Sequence, residues 1–187
     1  MDLLKIGMQA SWLLLVAAET VSCCCGQTIE LFALEDAAHH EWCAYSARPM
    51  WKADVDSLES MTVASLRFVD GHVSAIDFTE TDETGDWIVY DRYTFEPSGR
   101  LLRLERRTNL ATVDRGILET FVLKGDKVTR TNISQRSLRT DAPLPSKNVW
   151  TPNLPVRKAV GDFPFGQLVQ RDLENLRTKG KVCSGIR

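Results

Sequence analysis

Residues 61–79 read MTVASLRFVDGHVSAIDFT, and the reading of this stretch decides the fold. Two β-rich runs, 61–69 and 72–79, flank Asp70-Gly71. An Asp-Gly pair between apolar runs is a tight-hairpin signal, because both turn residues need positive φ and these two types adopt it at low cost. The pattern continues downstream. An acidic loop, 80–86, leads into 87–96, whose odd positions Trp87, Val89, Asp91, Tyr93 and Phe95 are mostly apolar. Pro97-Ser98-Gly99 is a turn. Residues 101–108 put Leu102 and Leu104 on one face, with Arg103, Glu105 and Arg107 on the other. Residues 116–124 group Ile117, Phe121 and Leu123 opposite Leu118, Thr120 and Val122, and Gly125-Asp126 turns the chain into 127–136. Six such runs predict an antiparallel meander with one wet face. Within 61–69, Met61 and Val63 share one parity and Leu66 and Phe68 the other. A β-bulge near Ala64-Ser65 would reconcile them and bend the sheet toward a half-barrel.

Helices are expected at both ends, which makes the fold class α+β, mainly antiparallel β. Residues 32–41 are good helix formers, with Glu35 and His39 one turn apart; the alternative is a strand running through Glu41-Trp42-Cys43-Ala44-Tyr45. Residues 49–58 form a second candidate, with Pro49 suited to a first turn. The C-terminal helix, 165–179, carries an apolar stripe of Leu168, Val169, Leu173 and Leu176, and Gly180 marks its stop. Residues 141–164 hold five of the seven prolines and read as an extended strap, with Val149, Trp150 and Leu154 placed to pack across the sheet.

The N-terminus reads as an address. Lys5 lies in a short basic region, Trp12-Leu13-Leu14-Leu15-Val16-Ala17-Ala18 is an apolar run, and Val21-Ser22-Cys23-Cys24-Cys25-Gly26 is a small-residue zone. This is the layout of a secretory signal peptide, and the run is shorter than the roughly 20 residues a membrane span requires. Residues 1–26 are therefore expected to be removed, leaving 27–187 as a single globular domain in the secreted or periplasmic/cell-envelope compartment. The alternative is a lipoprotein leader, with Cys23 as the lipidation candidate; membrane association is expected only through such a lipidated N-terminal cysteine.

Formal net charge is −2, with an uneven distribution. Residues 30–91 carry 14 acidic and 3 basic side chains, whereas 92–139 carry 5 acidic and 11 basic. Acidic strands pairing beside basic ones account for this, and an exported chain of such low charge is not expected to bind nucleic acid.

Three of the five cysteines lie in the leader. The remaining pair, Cys43 and Cys183, is expected to form one disulfide in an oxidising compartment. Glu35, His39 and His40 are the metal candidates. Consecutive histidines point apart, however, and zinc needs three or four converging ligands, so a solvated face is expected and no metal. The Asp82-Glu83-Thr84-Gly85-Asp86 run resembles part of a calcium loop that lacks the downstream bidentate Glu. Asp91 and Glu105 are the carboxylate candidates. Asp91 stands on an apolar parity, so burial would demand a partner such as Arg103 or Arg106. A glycosidase would need two carboxylates facing each other across a cleft. No nucleophile elbow, phosphate loop or metalloprotease motif occurs, so no catalytic residue is named and no cofactor is expected.

These readings converge on an exported, non-catalytic binding or interaction protein, its partner an unknown protein or an apolar small molecule held on a curved sheet. The alternatives are a small secreted hydrolase using sheet-face carboxylates and a structural module that pairs through a sheet edge or the strap.

Overall fold

The computed structural model describes residues 29–36, 41–58, 62–145, 150–171 and 173–185. The chain runs through β1 (Ile29–Asp36), β2 (Glu41–Tyr45), α1 (Arg48–Leu58), β3 (Thr62–Val69), β4 (His72–Thr81), β5 (Trp87–Phe95), β6 (Leu101–Leu110), β7 (Arg115–Lys124), β8 (Lys127–Arg136), α2 (Gly166–Arg171), α3 (Leu173–Lys179) and β9 (Lys181–Gly185). The hairpin forms at Asp70 and Gly71, with φ of 51° and 81°. The six-stranded meander is present as β3 to β8, but the sheet has nine strands, in the order β8-β7-β6-β5-β4-β3-β1-β2-β9. It is open, with β8 and β9 as its terminal strands among the described residues, and the strap bonds to the end of β8 through Pro143 and Leu144.

Of the helix expected over 32–41, residues 32–36 and 41 are instead strand, and 37–40 lie outside the described residues. Leu31, Phe32, Ala33 and Leu34 are all buried, as are Trp42, Cys43, Ala44 and Tyr45. Leu31, Ala33, Trp42 and Ala44 face the main core. Phe32, Leu34, Cys43 and Tyr45 face Trp51 and Val55 of α1. With both faces covered, these strands lose the alternation that would have marked them, and tertiary burial overrides helix propensity. The same cause removes the bulge expected at Ala64-Ser65. Val63 packs toward α1 while Ala64, Leu66 and Phe68 face the main core, so both parities of β3 are apolar without any slip. The pairing shifts one turn of strand later, at Arg67/Phe68, where Ser74 is the extra residue of β4.

α1 forms where Pro49 allows it and is tied down three times. Trp51 Nε1 donates to the Ala33 carbonyl at 3.3 Å, Tyr45 Oη donates to Asp54 Oδ2 at 2.8 Å, and Lys181 Nζ donates to the same oxygen at 2.6 Å. Lys181 and Tyr45 together hold the Asp54 carboxyl below its ordinary range.

On the opposite face the sheet is closed by the chain's own C-terminal third. Phe163 stands edge-on to Tyr93 at 4.9 Å and to Phe78 at 5.7 Å, and Phe165 lies 5.1 Å from Trp42. Leu168, Val169 and Leu176 complete this layer, as their spacing predicts. The expected C-terminal helix is present as α2 and α3, with Asp172 between them outside the described residues, and its start is a close approach. A Cβ at Gly166 would meet the Val160 carbonyl oxygen at 2.1 Å, so this position accepts no side chain without backbone movement. Among the described residues the strap is extended as far as Ala159, with isolated bridges Arg136 to Pro143 and Arg100 to Ala159, and then makes one tight 3-10 turn at Val160–Asp162. Val149 lies outside the described residues. Trp150 is 69% exposed, so it does not pack across the sheet as its spacing suggested; Val156 and Phe163 occupy that layer.

Candidate functional site

The inward row Phe78–Asp91–Arg106–Glu119 runs across β4 to β7, each residue directly opposite the next. An antiparallel register places such residues on one face. Asp91 is the buried carboxylate that its parity implied, and its partner is Arg106. Arg106 Nε donates to Asp91 Oδ1 at 2.8 Å and Nη2 donates to Oδ2 at 2.6 Å, a two-pronged pair. Tyr93 Oη donates to Asp91 Oδ2 at 3.1 Å. Burial, and then the Asp91 charge, push the Tyr93 phenol up to about 12, so it remains a donor at neutral pH. Arg106 also reaches the strap, donating to the Leu154 carbonyl at 2.9 Å and the Pro155 carbonyl at 3.4 Å. The ion pair thus latches the strap to the sheet.

Beside it, Arg157 of the strap lies 4.4 Å over the Phe78 ring and 3.8 Å from Glu80. Glu80 Oε2 and Arg157 Nη1 are buried without hydrogen-bond partners. Burial pushes the Glu80 carboxyl up from its ordinary value, against the pull of Arg157. The folded chain therefore holds this proton more tightly than the unfolded chain does. The resulting stabilisation is fully present below the unfolded carboxyl's pKa and is lost as pH rises through the folded one. Glu80→Gln is expected to flatten the fall in thermal midpoint over that acid-to-neutral window; an unchanged slope would show that another group sets it. Neither Glu80 nor Arg157 was singled out from the sequence, although Glu80 continues the inward parity of Ile76 and Phe78.

Every hydrolase candidate is paired. Arg92 Nε lies 2.6 Å from Asp77, Arg103 Nη2 2.5 Å from Glu105, and Arg130 Nη1 2.7 Å from Glu119. Asp91 and Glu105 also point to opposite faces, since Glu105 stands opposite Arg92 on the wet side. The arginines divide in the same way: Arg106 turns inward, while Arg103 and Arg107 are exposed. Leu102 is exposed as well, because the pairing shifts at Thr94/Phe95 and moves it off the Leu104 parity.

Cys43 and Cys183 stand directly opposite each other in β2 and β9 and are bonded. Glu41 is close to both sulfurs, but bonded sulfurs offer no thiolate, so this group is no metal site. Glu35 lies in β1 opposite Trp42 rather than on a helix. His39, His40 and Cys23 lie outside the described residues.

The second face is different. α1 covers it over β1 and β2; at its far end Leu138 lies against Gly116, and between them Tyr90, Arg107 and Leu118 are exposed. Its central row is Thr79–Tyr90–Arg107–Leu118–Ser134. Three depressions of about 320, 590 and 390 Å³ lie along it. The first two share Asp77 and Arg92, and the last two share Arg107 and Leu118, so they form one trough. Tyr90, Leu118 and Leu138 are exposed apolar side chains on this charged surface. No family model, no curated protein and no solved structure matches the chain.

Proposed function

We propose that this is an exported, non-catalytic binding or interaction protein that meets its ligand or partner on the uncovered face of the sheet. The observation that carries the reading is the contrast between the two faces. One is packed by Phe163, Phe165, Leu168, Val169 and Leu176, which form the main core with the sheet. The other carries the trough, whose middle depression of about 590 Å³ is in the size range of small-ligand sites. Asp77, Asp91, Glu105 and Glu119 are each engaged by a guanidinium, and Asp91 and Glu105 lie on opposite faces, so those two do not make the facing pair that glycoside hydrolysis uses; this supports a binding role over a hydrolytic one. The disulfide agrees with an oxidising compartment.

The test is mass spectrometry and lipid extraction of protein isolated from its native source, wild type beside Leu118→Glu. Leu118 is exposed, so the variant is expected to fold normally and to lose the co-purifying ligand. Equal recovery from both proteins would move the site elsewhere, and turnover of a substrate with no retained ligand would overturn the binding role. The terminal strands β8 and β9 favour the interaction-module form of the same reading, through strand addition.

A further inference from the structure

The acidic loop before β5 makes a second site at one end of the sheet. A depression of about 350 Å³ is lined there by Asp82 and Asp86 of the loop, Trp87 of β5, Thr112 and Val113 of the turn after β6, and Trp150 of the strap. It shares no lining residue with the trough on the uncovered face, and among the described residues no lysine, arginine or histidine lines it.

Its walls are held in place. Asp82 Oδ1 accepts the Trp87 backbone N–H at 3.0 Å, and Asp82 Oδ2 accepts the Thr84 hydroxyl. These bonds, Thr84's first, keep the Asp82 carboxyl below its ordinary range and therefore charged. The Ala111 N–H donates to the Asp86 carbonyl at 3.0 Å, fastening the loop to the turn after β6. Asp82 thus spends its oxygens on the loop, which argues against a calcium site. The Asp86 carboxylate is in no ion pair among the described residues. Trp150, which lines the same depression, is the most exposed of the large apolar side chains among the described residues. The strap is tied down before it, where the Leu144 N–H donates to the Gln135 carbonyl at 2.9 Å, and after it by Arg106.

We propose that this pocket binds a quaternary or methylated ammonium group. An indole face attracts a cation through its quadrupole and at the same time covers the methyl groups around the charge. Two carboxylates with no base beside them among the described lining residues favour a positive ligand and repel an anion. A neutral sugar would stack on the indoles yet gain nothing from the charge, so charge selects between the two.

The experiment titrates the full chain with choline and with tetramethylammonium chloride by calorimetry, against sodium chloride at matched ionic strength. The neutral probe is 3,3-dimethylbutan-1-ol, which replaces the charged nitrogen of choline by carbon. Both cations are expected to bind saturably, and the neutral probe about tenfold more weakly. Trp150→Ala and Asp86→Asn are each expected to weaken the cations about fivefold, the equivalent of about 1 kcal/mol for a cation on an exposed ring. Both side chains are exposed, so thermal midpoints should stay unchanged. Leu118→Glu should leave cation binding intact, which separates failure of this site from failure of the trough. Absence of saturable binding, equal binding of the neutral probe, or a saccharide that outcompetes choline would each overturn the proposal.

Discussion

Arg106→Ala is expected to lower the free energy of unfolding by about 3–5 kcal/mol, the cost of leaving one partner of a buried ion pair alone. The Asp91 side chain is 1% exposed and has no access to water that could replace the two guanidinium bonds. The same change strips the Leu154 and Pro155 carbonyls of their donor, so the strap loses its latch. Urea denaturation would show a lower midpoint, and limited proteolysis should cut first in residues 150–158. The double change Asp91→Leu with Arg106→Met is expected to recover only part of the loss, because the two apolar side chains need no partners but the Tyr93 hydroxyl and the Leu154 and Pro155 carbonyls lose theirs. If Arg106→Ala unfolds at the wild-type midpoint, the pair neither latches the strap nor bears on stability.

Loss of the Cys43–Cys183 bond is the second large effect. The two residues are 140 positions apart. On the chain-entropy account, a loop of that length gives a stabilisation of at most about 4–5 kcal/mol. Cys43→Ala with Cys183→Ala, compared with wild type with and without reductant, should lower the thermal midpoint, and reductant should have no further effect on the variant. The loss should concentrate at β9, the short edge strand that the bond fastens beside β2. Equal midpoints for oxidised, reduced and doubly substituted protein would remove the bridge from the account of stability.

The sequence made the middle of the sheet legible because one of its faces is wet. In β5, Val89, Asp91, Tyr93 and Phe95 are buried and alternate with Tyr90 and Arg92 in solvent, so parity alone placed Asp91 inside and demanded an arginine. Asp70-Gly71 fixed its hairpin for a local reason, the backbone geometry of two residues. The ends were harder to read. In β1 and β2 consecutive residues are buried on opposite faces, and a run of that kind carries no period to distinguish strand from helix. Leu102 was misplaced because one inserted residue opposite Thr94/Phe95 reverses every parity before it. The trough was invisible for another reason. Thr79, Tyr90, Arg107 and Leu118 come from four strands, and only the register brings them into line.

The position of β9 has a consequence in time. Residues 41–45 find their outer neighbour only in residues 181–185, so a chain emerging from its N-terminus holds a ready β2 without its flank until almost all of it is available. Pairings so remote in sequence form slowly. Until then the backbone donors and acceptors along that flank remain unclaimed.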